Sequence, residues 1–277
     1  MKNFSSLILL LIVIQSNAQY YYKDLLATTD INEKMKIYIL NNVHKVIATG
    51  YTSNGTATSN FNETQESDFK NKQLSITTVL NQNTNRIIFK FDENGRLQNL
   101  NDSSTGMISN SVYAYDVSGK LVEISNTIKD SSQDFSQTES HFWMYKNNSP
   151  EKMWRIINMT DSLEVRFKSD ESGNIIEEQN FRKEKESDPT YYYYDDKNRL
   201  TDIVRYNTKA KRLLPDFMFE YDEKNRVIQK ISTISNIGLG YLIWRYLFDE
   251  KGLKTKEALF NKEKQLQGRI DYTYNTP

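Results

Sequence analysis

A repeating unit of one turn and its flanking rings limits this chain to β-hairpins stacked side by side. Its centre is an Asp: Asp92, Asp116, Asp170, Asp195, Asp222 and Asp249, and the unit recurs about every 24 to 30 residues once the weaker copy between Asp116 and Asp170 is counted. Three residues after each stands Gly95, Gly119, Gly173, Asn198, Asn225 or Gly252. Gly and Asn tolerate a left-handed backbone best. An Asp followed at the fourth place by such a residue describes a type I turn closed by a left-handed position, a common hairpin connection. Three residues before each Asp is an aromatic: Phe89, Tyr113, Phe167, Tyr192, Phe219 and Tyr246. One residue before it are Phe91, Tyr115, Tyr194, Tyr221 and Phe248, with Ser169 the exception. A spacing of two puts both rings on one face of a strand, which is read as the buried face.

After the turns, Arg96-Leu97, Lys120-Leu121, Asn174-Ile175, Arg199-Leu200 and Arg226-Val227 open the return strands. Two weaker copies appear. Trp143 and Tyr145 precede a lengthened turn, Lys146 to Pro150, and Tyr272 and Tyr274 form a terminal single-strand cap. Longer polar connections are expected at 126–141, 182–188, 207–212 and 261–264. The sheet would then have one edge of tight turns and one of long loops, and function resides more often in long loops. Upstream, Asp30 reads as the N-cap of a short helix to Asn42, with Glu33 completing a capping box. Val43 to Tyr51 reads as a strand that turns at Ser53-Asn54-Gly55.

The unit Tyr113 to Leu121, with Phe89–Leu97, Tyr192–Leu200 and Phe219–Val227, resembles the tyrosine-aspartate (YD) repeat of Rhs-type proteins. The resemblance covers roughly residues 85–277. It implies a long spiralling β-sheet. The large members form shells around a C-terminal toxin, but this chain has few repeats and nothing after the last, so it implies neither shell nor cargo here. Some YD-repeat proteins are labelled sugar-binding. The expected fold is therefore all-β: an antiparallel meander of repeated hairpins, curved or spiralling, with a short N-terminal helix.

Residues 1–18 read as a signal peptide, with Lys2, the apolar run Leu7–Ile14 and Ser16-Asn17-Ala18 before cleavage at Gln19. Residues 19–84 form an N-terminal segment and 85–277 the repeat domain. The chain is thus expected to be exported, periplasmic or secreted, without an integral membrane span once the leader is removed. An outer-membrane barrel is rejected, because Glu123, Glu177, Glu178, Asp202, Arg205, Gln229 and Lys230 place charge and polarity on mixed faces.

Lys plus Arg equals Asp plus Glu at 36 each, so no basic footprint for nucleic acid exists. There is no Cys, which excludes disulfides and thiolate metal sites. The two histidines, His44 and His141, read as isolated surface residues rather than catalytic bases or ligands. Asp92-Glu93-Asn94-Gly95 starts like a calcium loop but lacks its remaining ligands, so turn capping is preferred. Asp161-Ser162-Leu163 resembles a short O-glycosylation signal. No cofactor, metal or catalytic residue is expected.

The face opposite the rings is mostly polar, except at Tyr191, Tyr193, Met218 and Leu247, the candidate contact surface. The functional expectation is a non-enzymatic binding or scaffold protein with a protein or glycan partner in the envelope or extracellular space. The alternative is a carbohydrate-binding module using exposed aromatics, and third an enzyme acting on envelope or extracellular glycans.

Overall fold

The computed structural model describes residues 20–104, 106–130, 132, 134–183, 185–208, 210–233 and 240–275. The expected leader and its cleavage point before Gln19 lie outside the described residues. A helix, α1 (Lys23–Leu40), comes first. Strands β1 (Lys45–Thr52), β2 (Ala57–Asp68), β3 (Gln73–Leu80), β4 (Asn83–Phe91), β5 (Leu97–Ser104) and β6 (Met107–Tyr115) follow. Next are β7 (Leu121–Asp130), β8 (Ser136–Lys146), β9 (Ser149–Ile157), β10 (Asp161–Ser169), β11 (Ile175–Arg182) and the two-residue β12 (Lys185–Glu186). The chain ends with β13 (Thr190–Tyr194), β14 (Leu200–Asn207), β15 (Arg212–Tyr221), β16 (Val227–Thr233), β17 (Tyr241–Phe248), β18 (Lys254–Phe260) and β19 (Leu266–Asn275).

The sheet is closed, not an open or spiralling meander. β19 pairs antiparallel with β1, from Lys45↔Asn275 to Thr52↔Gly268, and β1 also pairs with β2. β11 pairs directly with β13 past the short β12, so the wall is an 18-strand antiparallel barrel. Closure removes both open edges, the standing liability of any sheet. The final ring pair, Tyr272 and Tyr274, is therefore no terminal cap. It sits opposite Ala48 and Val46 and forms the seam.

The turns follow the sequence reading. Gly95, Gly119, Gly173 and Gly252 have φ between 75° and 87°, and Asn198 and Asn225 have φ of 58° and 62°. At each, the fourth residue donates its N–H to the Asp carbonyl, as Gly95 does to Asp92 at 3.0 Å. At Asp92, Asp116, Asp195 and Asp222 the carboxylate also accepts from two backbone N–H groups, as from Asn94 and Arg96 at 2.9 Å each. The turn after Trp143 and Tyr145 is shortened rather than lengthened: Asn147 and Asn148 both have positive φ, a two-residue hairpin turn. The opposite rim is not uniformly long-looped either. Asn81-Gln82 and Asn158-Met159 make the same two-residue turn, and 261–264 repeats the four-residue turn with Asn261 in place of Asp. Much of the polar stretch 126–141 is strand, in β7 and β8.

Neighbouring hairpins are clipped together by the repeat's own side chains. The second ring of a hairpin donates its hydroxyl to a carbonyl of the preceding one: Tyr115 to Leu97 at 2.7 Å, Tyr194 to Ile175 at 2.8 Å and Tyr221 to Leu200 at 2.7 Å. In the other direction, at three of the six turns the next residue is an Arg that pairs with its own Asp and lies over the next ring. Arg96, Arg199 and Arg226 stand 4.6, 4.8 and 4.8 Å from the ring centroids of Tyr115, Tyr221 and Phe248. This explains why the repeat wants an Arg, which stacks and forks at once.

The ring face points into the barrel, where α1 is seated. Eighteen residues span about 27 Å at 1.5 Å per residue. The helix starts at Lys23, not Asp30, so Asp30 and Glu33 lie within it and form no capping box. Its first half packs with Trp143, Val165, Phe167, Ile175 and Tyr192. Its second half, through Met35 and Tyr38, packs with Val46, Leu74, Ile87 and Phe89. The segment before residue 85 thus supplies the plug and the first three strands of one wall.

Candidate functional site

The helix is fastened to the wall by buried charge. Tyr22, at its N-cap, provides no side-chain cap. Glu178 of β11 does that work from the wall. Its carboxylate accepts the N–H groups of Tyr21 at 2.8 Å and Tyr22 at 3.0 Å, and the Tyr192 hydroxyl at 2.8 Å. A carboxylate at this end suits the orphan amides and the helix dipole. Glu178 is only 2 % exposed. Burial raises its pKa to about 7, against the pull of those three hydrogen bonds.

One turn on, Asp24 meets His141 Nδ1 at 2.6 Å, and Glu139 meets Nε2 at 2.9 Å. Arg155 grips Glu139 with two bonds of 2.8 Å. Burial pulls the His141 pKa down, but the bonds to Asp24 and Glu139 outweigh it and lift it to about 9. Burial pushes Glu139 up, but His141 and Arg155 hold it at about 2. His141 is therefore an imidazolium with both N–H groups engaged. It offers no lone pair to a proton or a metal. His141 is not a surface residue: it is buried, whereas His44 is exposed and rests against Phe69 at 4.8 Å. Counting in twos back from the inward Trp143 places both His141 and Glu139 inside, so strand parity held the signal. Among the described residues, no group of three or more potential ligands is placed to hold a metal.

Away from these contacts the inner wall loosens. Across β15, β16 and β17, Phe219, Lys230 and Trp244 are direct register partners, so the lysine stands between two rings in one inward row. Phe217, Phe219, Lys230, Trp244 and Tyr246 are all only half-buried, although inward Val165, Ile175 and Tyr192 are at most 2 % exposed. Asp30 and Lys34, one turn apart on α1, border this flank. Burial, followed by the opposed charges of Glu63 (raising) and Lys254 (lowering), brings Lys34 down to about 8. Burial also lowers Lys230 and raises Asp30, each against the attraction of opposite charge. Aromatic walls with a few polar groups are the usual lining of a small-molecule site.

The expected contact residues lie on the outer face. Tyr193 is 48 % and Leu247 58 % exposed, while Tyr191 and Met218 are half-buried. They do not make one patch. Tyr193 and Met218 share a row through Asp202, which continues to Ile231 and Ile243. Glu220, Gln229 and Arg245 form a hydrogen-bonded polar row beside it, and Leu247 stands beyond. Elsewhere on the outer wall Lys152–Glu164–Arg166 and Lys168–Glu177 form ion pairs within the strands. These interrupt the continuous apolar band that a lipid-facing barrel requires. No described helix is long and apolar enough to cross a membrane.

No family model matches the chain, and no curated protein does. Solved structures with partial likeness include the Photorhabdus luminescens Tc holotoxin pore. It is 16 % identical over 77 % of this chain and 12 % of its own, with a TM-score of 0.35. A porin-like protein from Bacteroides uniformis is 10 % identical over 84 % of this chain and 98 % of its own, with a TM-score of 0.44. A porin-like protein from Bacteroides vulgatus is 12 % identical over 85 % and 99 %, with a TM-score of 0.28. This chain spans only 12 % of the toxin chain's length. Likenesses this distant carry neither fold nor function across.

Proposed function

We propose that this chain is an exported, non-enzymatic binding protein, built from YD-type hairpin repeats, that holds a small ligand beside its helical plug. The carrying observation is the flank of β16 and β17, where Lys230, Trp244 and Tyr246 point inward and are only half-buried. The outer wall is read as facing water, because its ion pairs lie within the strands. The non-enzymatic reading draws support from His141, whose two nitrogens are both committed to carboxylates. Binding of a protein or glycan through the outer row of Tyr193 and Met218 is the second reading, favoured by the exposure of Tyr193.

Native mass spectrometry of the protein purified from its own cells, followed by a thermal-shift screen of small molecules, tests the first reading. Bound ligands should raise the melting temperature of the wild type and of Tyr193→Ala, but not of Trp244→Ala. Loss of binding in Tyr193→Ala alone would move the site to the outer face. A wild type that carries nothing and responds to nothing would overturn the lumen reading.

A further inference from the structure

We propose that a notch at Ser169, on the rim of tight turns, is a docking site for a tyrosyl side chain of a partner chain. Elsewhere on this rim the second ring of a hairpin fills the joint with the hairpin before it. Tyr115, Tyr145, Tyr194 and Tyr221 donate their hydroxyls to the carbonyls of Leu97, Leu121, Ile175 and Leu200 at 2.7–2.8 Å. A cation of the earlier hairpin covers the ring at three of these joints: Arg96 over Tyr115, Lys120 over Tyr145 and Arg199 over Tyr221. In the hairpin of β10 and β11, Ser169 holds the ring's place, opposite Ile175 as Tyr115 is opposite Leu121. The hairpin before it puts Pro150 opposite Tyr145, in the place of the accepting residue, and Ser149 in the place of the cation. This joint has therefore lost its ring and its cation together.

The loss leaves a cavity of about 380 Å³, toward the lower end of the sizes usual for ligand sites. Phe167 lines it as a buried ring, stacked on Trp143 with centroids 5.2 Å apart. Half-buried Ser149, Pro150, Ser169 and Gly173 line it as well. The Ser149 hydroxyl meets the Gly173 carbonyl at 3.3 Å, a small side chain bridging what a ring fills at the other joints. The Ser169 hydroxyl is buried and has no hydrogen-bond partner among the described residues. Such a group is costly to leave unpaired. A phenol answers each of these features. Its ring packs on Phe167, its hydroxyl donates to the Pro150 carbonyl, the counterpart of four that accept a tyrosine, and it accepts from Ser169. The solvent side carries exposed Asn147, Glu151 and Glu171, whose oxygens can take the backbone N–H groups on either side of an inserted tyrosyl. An aromatic anchor in a pocket with a polar rim is the usual centre of a protein interface.

The test follows backbone amide signals of the isotope-labelled full chain during titration with capped glycyl-tyrosyl-glycine, its phenylalanine counterpart and p-cresol. The tyrosine peptide should shift the signals of 149–151 and 167–173. It should bind about threefold or more tightly than the phenylalanine peptide, which has no hydroxyl for Pro150. Ser169→Tyr should fill the notch, raise the melting temperature and abolish the shifts, and Ser169→Phe should abolish them too. Trp244→Ala should leave them unchanged, which separates this site from the lumen. Equal binding of the two peptides, no shifts at all, or shifts that persist in folded Ser169→Tyr and Ser169→Phe overturn the proposal. A melting temperature lowered in both variants also overturns it, because the gap would then not be ring-shaped. p-Cresol binding as tightly as the tyrosine peptide would make the occupant a free phenol and overturn the assignment to a partner chain.

Discussion

Tyr192 and Tyr246 occupy the same place in the repeat, three residues before the turn Asp, and both point into the barrel. Tyr192 is 2 % exposed, its hydroxyl bonded to Glu178 and its ring set edge-on to Tyr22 of the plug at 5.2 Å. Tyr246 is half-buried, in the company of Lys254 and Trp244. Identical sequence grammar thus gives a core residue on one flank and a half-buried one on the other. The difference comes from the helix and the residues leading into it: Tyr20, Tyr21, Tyr22, Leu25 and Leu26 pack into the cluster around Tyr192, whereas the charged Asp30 and Lys34 lie toward Lys230 and Lys254. In a closed barrel the plug decides which inward positions are core.

The largest expected effect tests that contrast directly. Tyr192→Ala should destabilise by about 3–5 kcal/mol, as large-to-small core changes do. Tyr246→Ala should cost about 1–2 kcal/mol, since less packing is lost. Urea unfolding midpoints that rank the two the other way would break the comparison.

The packed flank should also carry the pH dependence. The folded pKa of His141 is raised from 6.5 to about 9, so its contribution is fully present below the unfolded value and fades as pH rises toward 9. Glu178 is raised from 4.5 to about 7, so folding is increasingly disfavoured as pH climbs between those values. Both have the same sign, and stability should fall by a few kcal/mol between about pH 5 and 8. Glu139, held at about 2, acts oppositely, its contribution being lost only as pH falls from 4.5 toward 2. Melting temperatures across this range should flatten below neutrality in Glu178→Gln and above it in His141→Gln. A wild type that is flat from pH 5 to 8 would remove these two groups as the fastening.

The smallest effects should not depend on the flank at all. Gly95 and Gly252, whose turns lead into the buried Leu97 and Leu253, have φ of 75° and 82° and nothing within 4 Å of an added Cβ. Gly95→Val and Gly252→Val should therefore cost the same, about 1–3 kcal/mol of backbone strain, with Asn198→Gly near neutral. Unequal costs in urea would mean that the turns feel the plug.

Local features were legible in the sequence because their causes are local. The Asp turns, the left-handed Gly and Asn positions and the inward rings all rest on spacings of two to four residues. Closure was not, because β1 lies outside the repeat and pairs with β19 across almost the whole chain. The helix start was misread for a similar reason. Asp30 and Glu33 have capping-box spacing, but the cap that matters is Glu178, distant in sequence and adjacent in space. His141 could have been placed from its parity with Trp143, yet its partner Asp24 could not. The half-buried flank was invisible, since whether inward Trp244 and Lys230 are covered depends on where the helix lies.

The seam between β1 and β19 also constrains how the molecule is made. Apart from this seam, the ladders join strands close in sequence, and the tyrosine clips reach back to the preceding hairpin. Hairpins can therefore be added one after another, each docking on a finished neighbour at little loop-closure cost. The seam alone must wait for Leu266–Asn275. Until it forms, β1 and the most recently added strand expose unpaired edges, which are ready templates for another chain. A chain interrupted before β19 would keep its hairpins but not its closure, and would assemble edge to edge with its own kind.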